Sequence, residues 1–505
     1  MKKPKKKTHK ERTGSVLPLI VILLLAVFLR FSKLTELFHW TMDEEFWSYL
    51  PFNVATGYHL PLIGGHISGT GLYSGPLFVW LMAIPFFVAG GNPVGIAAIV
   101  SAMGVATTLA TFVVGKTLFD RRTGLFAALF SAGSFLMVLY DRKYWNASPI
   151  PLLSLVTIYC LFKISQRSYK WAYLLAIALA IAFHAHMTSG VLLLLVVVSW
   201  LSFRLPVAKR DIVGAIILFT VFQAPLVLFE LRHGFTNAKA LQRMLIQAPS
   251  SIGFLQASSE VGKLTLTTLG RLVYMPPNRD IAYELTLCPA YAGTRSSPPL
   301  LAEGIALSGI LFLLTKRKET SYRLLLATLL LNVLSLAWYR MRAPESSWYP
   351  GQLSEYYFLP GFPAVFLAIG ALTQTILKKS GRSGWIVLGA VMVVVALNVR
   401  AFLTARHSDG FSRKREAVEK AIAMAGNEPF SLSVESDDPC RLYGYRYLFS
   451  YLKREPVQSY LDPQFLWLYE RRLPRELPEK AVTISDISGT ISVEALDVPE
   501  TDSTP

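Results

Sequence analysis

Long apolar stretches recur along this chain from residue 15 to residue 403. A helix needs about 20 apolar residues to cross the hydrocarbon core of a bilayer, which is about 30 Å thick. Backbone polar groups inside that core need internal partners, so such stretches become helices. The sequence predicts spans at about 15–32, 94–115, 123–140, 148–164, 171–187, 189–203, 212–229, 299–315, 321–338, 357–377 and 384–402.

One further apolar stretch, 76–90, is short and flanked by Gly and Pro, and it either crosses or lies at the interface. If it does not cross, three or more Lys or Arg fall in every segment on one side, namely 1–14, 116–122, 163–170, 204–210, 316–323 and 378–382. The opposite loop, 33–93, then has Lys33 as its only Lys or Arg. The positive-inside rule favours this arrangement: about eleven spans, an interfacial helix at 76–90 and a cytoplasmic N-terminus at 1–14.

Three large segments are then extracytoplasmic. They are the outer loops 33–93 and 230–298 of a transmembrane domain at 15–403, and a soluble tail at 404–496. The tail is more charged, and its pattern predicts a small α/β domain with helices near 413–425 and 440–453 and strands near 429–434 and 481–494. Residues 497–505 are expected to be disordered. No internal repeat is visible, which weakens an inverted-repeat transporter interpretation.

Composition agrees with a membrane protein. Only 16% of residues are charged and 52% are hydrophobic, whereas about a quarter of an ordinary soluble chain is charged. The net charge of +17 comes from short basic clusters between apolar runs, which is typical of cytoplasmic loops and excludes nucleic acid as a partner. The first run is about 18 residues long, exceeds the usual core of a cleaved signal and has no A-x-A-like site, so it is interpreted as a retained span.

Cysteine usage gives little constraint. Cys160 lies in an apolar run and is expected to be inert packing. Cys288 and Cys440 fall in extracytoplasmic segments where a disulfide is chemically allowed, and whether they pair stays open. No zinc-binding pattern is present.

Ionisable and polar residues gather on one membrane face in this topology, although they come from distant parts of the chain. The set is Asp43, Glu44, Glu45, Asp141, Arg142, Lys143, Asn146, His184, His186, Glu230, Arg232, His233, Arg340, Arg342 and Glu345. Taken singly, each has an ordinary explanation, such as a solvated acidic residue or a snorkelling anchor at Arg142 and Lys143. Their clustering on a single face indicates a site.

The chemistry that fits this set is group transfer at a lipid phosphate. Adjacent carboxylates supply a general base or bind a cation. Arginine guanidinium groups match the oxygens of a phosphate. A hydroxyl attacking a sugar carbon gives its proton to a carboxylate, and the leaving lipid phosphate is stabilised by arginine or by a divalent cation.

Four motifs resemble the GT-C superfamily of membrane glycosyltransferases, especially dolichyl-phosphate-mannose protein mannosyltransferases and bacterial aminoarabinose transferases. An acidic pair after the first span is that family's hallmark, here at 42–46 (MDEEF). Residues 74–80 (SGPLFVW) resemble its juxtamembrane helix, 116–125 (KTLFDRRTGL) its connection between the second and third spans, and 355–363 (EYYFLPGFP) its late element. The resemblance covers roughly residues 15–400.

The resemblance implies roles for particular residues. Asp43 is expected to be the acceptor base with Glu44 beside it, while Asp141, His186 and Asn146 position the acceptor or a cation. Arg142, then Arg342 and Arg340, are expected to bind the donor phosphate. Two departures are visible. Asn146 stands where many members have a second aspartate, and Glu355 stands where an arginine or histidine is frequent.

The sequence therefore predicts a GT-C enzyme in the plasma membrane, moving a hexosyl or pentosyl group from a polyprenyl-phosphate-linked sugar to a protein, lipid or glycan acceptor. No cofactor is certain, although a divalent cation is a possible one. The alternative is a lipid or glycan transporter or flippase, but the ionisable residues lie at an interface rather than at mid-membrane. A receptor or scaffold with an external binding tail is a third interpretation.

Overall fold

The computed structural model describes residues 15–67, 70–203, 208–246, 252–277, 280–285, 295–342, 353–439, 441–487 and 489–498. The helices are α1 (Leu17–Phe31), α2 (Met42–Ala55), α3 (Leu77–Val88), α4 (Pro93–Leu118), α5 (Arg121–Gly133), α6 (Phe135–Tyr140), α7 (Ile150–Ser165), α8 (Trp171–Ala185), α9 (Gly190–Phe203), α10 (Lys209–Phe222), α11 (Ala224–Arg232), α12 (Thr236–Ile246), α13 (Phe254–Val273), α14 (Ala282–Leu285), α15 (Leu300–Thr315), α16 (Thr320–Arg342), α17 (Phe362–Lys379), α18 (Gly384–Thr404), α19 (Phe411–Ala425), α20 (Arg446–Tyr451) and α21 (Asp462–Phe465). The strands are β1 (His66–Ile67), β2 (Leu72–Tyr73), β3 (Phe430–Ser436), β4 (Gln458–Ser459), β5 (Lys480–Ile487) and β6 (Thr490–Asp497).

Each predicted span is a helix or a broken pair of helices. By length and composition, three helices of the described chain are long and apolar enough to cross a membrane by themselves: α4, α16 and the 24-residue stretch that ends with α18. The pair α10 and α11, bent by 50°, makes a fourth candidate span, and Pro225 explains the bend because it removes a helical N–H. Five further predicted spans are shorter apolar helices of 10–17 residues.

The third predicted span, 123–140, is broken into α5 and α6 at Ser134, whose backbone is extended. The break frees the N–H of Phe135, which donates to Asn398 Oδ1 of α18 at 3.1 Å. The Ser134 hydroxyl in turn accepts from Met137 N at 3.4 Å and caps the new helix. The broken span therefore keeps its backbone satisfied inside the bundle.

Helix α3 falls on the stretch predicted to lie at the interface. Its 12 residues span about 18 Å at 1.5 Å per residue, which is too short for a bilayer. Leu81, Ile84 and Phe87 are exposed along one side, and Val79 and Phe86 are buried on the other. An apolar exposed side on a short helix fits contact with lipid at the membrane surface.

The bundle has two ends with different polar contacts. At one end, Lys378 Nζ lies 2.9 Å from Asp120 Oδ2, and Ser321 donates to the carbonyl of Leu118. This end carries the basic loops. At the other, which we call the domain end, the tail packs on α2, and Tyr447 donates to the Gly91 carbonyl just after α3 at 2.8 Å.

The tail forms a four-stranded sheet in the order β4-β3-β5-β6, with β3 parallel to β4 and β5, and β5 antiparallel to β6. Phe430, Leu432 and Val434 alternate inward along β3, and α19 packs on the sheet. These elements coincide with the predicted tail helices and strands. Cys288, Cys440 and the end of the predicted disordered tail lie outside the described residues.

The tail domain is joined to the first loop by buried polar contacts. The indole of Trp40 donates to the Gly444 carbonyl at 2.6 Å, and Lys414 Nζ donates to the Trp40 carbonyl at 3.1 Å. His39 Nδ1 lies 3.0 Å from His407 Nε2. The segment that precedes α2 is thus fixed against the domain.

A glycine brings the first loop against α8. An added Cβ at Gly75 would lie 1.9 Å from His184 Nδ1, so this backbone reaches the imidazole only without a side chain. His184 itself contacts Gln223 Oε1 at 3.0 Å. The close approach anchors the start of α3 to α8.

We expect Gly75→Ala to lower the free energy of unfolding by about 1–3 kcal/mol because the added methyl group overpacks this contact. Gly389→Ala in α18, where an added Cβ meets nothing within 4 Å, should be neutral or slightly stabilising. Thermal unfolding of both variants in detergent checks this. Equal melting temperatures would contradict the contact.

Candidate functional site

The site begins at the N-terminus of α2. Thr41 is the N-cap, and Glu44 Oε2 accepts from both the Thr41 backbone N–H and hydroxyl at 3.0 Å. This capping box fixes the first turn, where Asp43, Glu44 and Glu45 also face the positive end of the helix dipole. The local sequence therefore determines where α2 begins and places the three carboxylates in its first turn.

The three carboxylates have different surroundings. Glu45 is buried and accepts from the N–H groups of Gly444 and Tyr447, both at 2.8 Å. Glu44 is buried between Thr41 and Lys143. The Asp43 side chain remains 33% exposed. Asp43 is thus the carboxylate that faces the open side.

Lys143 is the cation of this cluster. Its ammonium lies 2.5 Å from Glu44 Oε1 and 3.8 Å from Asp43 Oδ2, and the side chain is 1% exposed. It also lies 5.0 Å from the centroid of the Trp145 ring. Sequence analysis considered Lys143 a snorkelling anchor; the structure buries it instead. The sequence placed Lys143 on this membrane face but assigned it no role.

Aromatic side chains form one wall beside the cluster. Trp145 meets Tyr356 edge-on at 4.8 Å between ring centroids, and His186 lies 6.1 Å from Trp145 and 5.7 Å from Tyr356. The amide of Asn146 donates to the Ala185 carbonyl at 2.7 Å, which fixes the end of α8 just before His186. The structure thus brings His186 and Asn146 together beside Trp145, whose ring also contacts Lys143.

Asp141 has a different partner from the one expected. It is buried and pairs with Arg30 of α1, with 2.6 Å between Oδ2 and the guanidinium. Arg30 also donates to the carbonyls of Ser131 and Ala132 at 3.0 and 3.1 Å. Asp141 therefore ties α1 to the end of α6, and its predicted role at an acceptor or cation stays a prediction.

Arg142, the first choice for the donor phosphate, is buried against backbone. Its guanidinium donates to the carbonyls of Leu29, Ser32 and Lys33 at 3.2, 2.9 and 2.6 Å. These contacts satisfy the carbonyls at the end of α1, which have no helical partners. Binding a phosphate would require Arg142 to leave this helix end, and its predicted role at the donor phosphate stays a prediction.

Arg340 and Arg342 end α16 at the domain end. Arg340 Nε lies 2.6 Å from Glu260 Oε2 of α13. Both arginines are only partly buried. Their predicted role in donor binding is compatible with this position, while Glu345 lies outside the described residues.

A second buried ion cluster explains Glu355. Arg271 of α13 lies 2.9 Å from Glu355 Oε2 and 2.7 Å from Glu284 Oε2. The hydroxyl of Tyr140 donates to Glu355 Oε1 at 3.1 Å. The acidic residue in the late motif is therefore balanced by an arginine of the second outer loop. Sequence analysis missed Arg271, since nothing local marks it.

Burial raises the pKa of Asp43 above its ordinary value; Lys143 lowers that pKa in part, and Glu44 raises it further. Burial is the largest cause that raises the pKa of Tyr356. Tyr357 and Tyr339 raise this pKa further, and the negative charge of Asp43 adds a smaller contribution in the same direction. Asp43 and the aromatic wall therefore share one electrostatic environment.

The described residues contain no group of three or more His, Cys, Asp or Glu arranged to hold a metal ion. Within the acidic cluster, both Glu44 oxygens are engaged, one with Lys143 and one with Thr41. A site for Mg²⁺ or Ca²⁺ needs several free oxygen ligands. The side chains of this cluster do not fit a resident divalent cation.

Comparison with solved structures identifies the fold. ArnT from Cupriavidus metallidurans bound to undecaprenyl phosphate matches with a TM-score of 0.56 at 10% identity, over 94% of this chain and 93% of that chain. Its apo state matches with a TM-score of 0.57 at 11% identity, over 93% and 92%. The Archaeoglobus fulgidus oligosaccharyltransferase in complex with Zn and sulfate matches with a TM-score of 0.52 at 13% identity, over 92% and 68%.

The chain therefore has the GT-C fold of these membrane glycosyltransferases. More narrowly, residues 74–229 match the family model of dolichyl-phosphate-mannose-protein mannosyltransferase. That segment contains α3, Lys143, Trp145, Asn146 and His186. No curated protein matches the chain. The expected fold class is confirmed, and the family match supports the resemblance seen in the motifs.

We expect Glu45→Ala to destabilise the protein by about 2–4 kcal/mol because two buried N–H groups would lose their acceptor. Glu419→Ala, which removes a half-exposed pair with Arg415 at 2.7 Å, should change stability by less than about 1 kcal/mol. Thermal unfolding and limited proteolysis of the tail domain check both. A stable Glu45→Ala protein would show that this contact does not hold the domain.

Proposed function

We propose that this chain transfers a hexosyl or pentosyl group from a polyprenyl-phosphate-linked sugar to an acceptor on the outer face of the membrane. The observation that carries the proposal is that the three carboxylates in the first turn of α2 differ in burial. Glu44 and Glu45 are buried in structural contacts, and Asp43 alone is partly open beside Lys143 and the aromatic wall. Such a carboxylate has the placement of a general base.

The reaction follows from this placement. The acceptor hydroxyl oxygen attacks the anomeric carbon of the donor and forms the new C–O bond. Asp43 takes the hydroxyl proton, while the bond from the anomeric carbon to the phosphate oxygen breaks with inversion. Its electron pair leaves with the polyprenyl phosphate, whose charge Arg340 and Arg342 at the end of α16 would stabilise. His186 and Asn146 would orient the acceptor.

The comparisons with known proteins support a polyprenyl-phosphate-linked donor. ArnT was solved with undecaprenyl phosphate, and the matched family is named for a dolichyl-phosphate sugar donor. The matched family and the oligosaccharyltransferase are both transferases, which favours an enzyme over the transporter alternative. The basic loops at the opposite end support an outward-facing site through the positive-inside rule.

We expect Asp43→Asn to reduce transfer by about 10²–10⁴-fold, the usual range for loss of a general base, without unfolding the protein. Asp211→Asn at the basic end, where the carboxylate accepts from Tyr173, should retain activity. The measurement is release of free polyprenyl phosphate from labelled donors, with products weighed by mass spectrometry in a donor screen. Full activity of Asp43→Asn would disprove the assignment.

The pH dependence of activity should reflect the raised pKa of Asp43. A base acts only when deprotonated, so activity is lost as the pH falls through that raised value. The acidic limb of kcat is therefore expected above the pH range of an ordinary aspartate. A rate independent of pH through the mildly acidic range would contradict this role.

A further inference from the structure

The cation closest to the proposed base comes from the chain itself. Lys143 Nζ contacts Glu44 at 2.5 Å and Asp43 at 3.8 Å. The ammonium is fully buried, and Trp145 covers it at 5.0 Å. A buried ammonium without counter-charges is strongly disfavoured, so the two carboxylates and the lysine stabilise one another as a single charged unit.

Besides Tyr356, charged and titratable groups around this unit come from the tail domain and the first loop. The imidazoles of His39 and His407 lie 3.0 Å apart. Burial lowers the pKa of His39, and Lys143 lowers it further. Lys414 pairs with Asp409 at 2.9 Å and also contributes to lowering the pKa of His39. The surroundings of Lys143 therefore hold two imidazoles whose pKa is lowered by burial and one already paired lysine.

A metal ion would have to compete with this arrangement. One Glu44 oxygen faces Lys143 and the other accepts two hydrogen bonds from Thr41. Asp43 would be the remaining carboxylate ligand, with a positive ammonium 3.8 Å from its oxygen. A dication placed there would be repelled by that charge and would lack ligands.

We propose that Lys143 is the resident cation of this site, a positioning residue that takes the place of a divalent metal beside Asp43. The proposal rests on the proposed function for its catalytic meaning, although not for its metal-binding consequence. Lys143 orients the Asp43 carboxylate towards the open side and keeps a positive charge next to it. Sugar transfer then needs no added metal.

A variant that removes the charge of Lys143 tests the proposal. Lys143→Met keeps most of the length of the side chain and removes its charge, which leaves Asp43 and Glu44 as an unbalanced carboxylate pair. We expect this pair to take up a divalent cation. Lys163→Met is the matched control, because Lys163 lies over Tyr159 at the other end of α7 and the same substitution there should change nothing.

Uptake of Mn²⁺ is measured by electron paramagnetic resonance on the full chain in nanodiscs of zwitterionic lipid. We expect no stoichiometric uptake by the wild-type and Lys163→Met proteins. Lys143→Met should take up about one ion, and Asp43→Asn combined with Lys143→Met should lose it. Stoichiometric uptake by wild-type protein that Asp43→Asn abolishes, or no uptake by folded Lys143→Met, would overturn the proposal.

Activity gives the second measurement. Wild-type release of polyprenyl phosphate should be unchanged by a chelator. Lys143→Met should lose kcat by roughly 10²-fold, as on loss of a preorganised charge, and millimolar Mn²⁺ should restore part of it. Wild-type activity lost on chelation, or a Lys143→Met protein with wild-type kcat, would refute the proposal.

Two controls keep the outcomes separable. If Lys143→Met does not fold, Lys143→Arg retains the charge and should show activity without Mn²⁺ uptake, and the wild-type uptake measurement still decides. If no donor is turned over by wild-type protein, the proposed function fails. The Mn²⁺ measurements then still support or overturn Lys143 as the resident cation.

Discussion

The ion pair between Glu44 and Lys143 is the contact on which the site depends. It joins the first turn of α2 to the loop between α6 and α7. Helix α2 lies outside the bundle, and the loop follows the third predicted span. Glu44 also completes the capping box of α2. One side chain thus starts the helix locally and attaches it to the bundle, and both partners are buried where an unpaired charge would be costly.

The neighbouring residue, Glu45, attaches the same helix to the tail domain. Its oxygens accept from the backbone at the start of α20. Helix α2 is therefore held on two sides by consecutive glutamates, while Asp43 between the N-cap and Glu44 keeps an exposed edge. This arrangement makes the tail domain part of the support of the site, because it orients the helix that carries Asp43.

Three buried arginines support the structure around the site. Arg142 caps the end of α1, Arg30 holds Asp141, and Arg271 balances Glu284 and Glu355. In each case a long, planar, multiply donating side chain satisfies groups that would otherwise be buried without partners. The arginines proposed to bind the donor phosphate lie on the same membrane face as these supporting arginines, so position in the sequence does not separate the two kinds.

The sequence by itself determined the helical membrane architecture, the short helix at 77–88 and the elements of the tail, and it singled out Asp43 as the candidate base. Apolar length, charge asymmetry and the capping pattern are local quantities, and they are visible without a fold. Only the tertiary structure decided which charges meet: Lys143 with Glu44, Arg30 with Asp141, Arg271 with Glu355. These partners are 99, 111 and 84 residues apart. Their pairing follows from burial in a common low-dielectric interior, which no local pattern records.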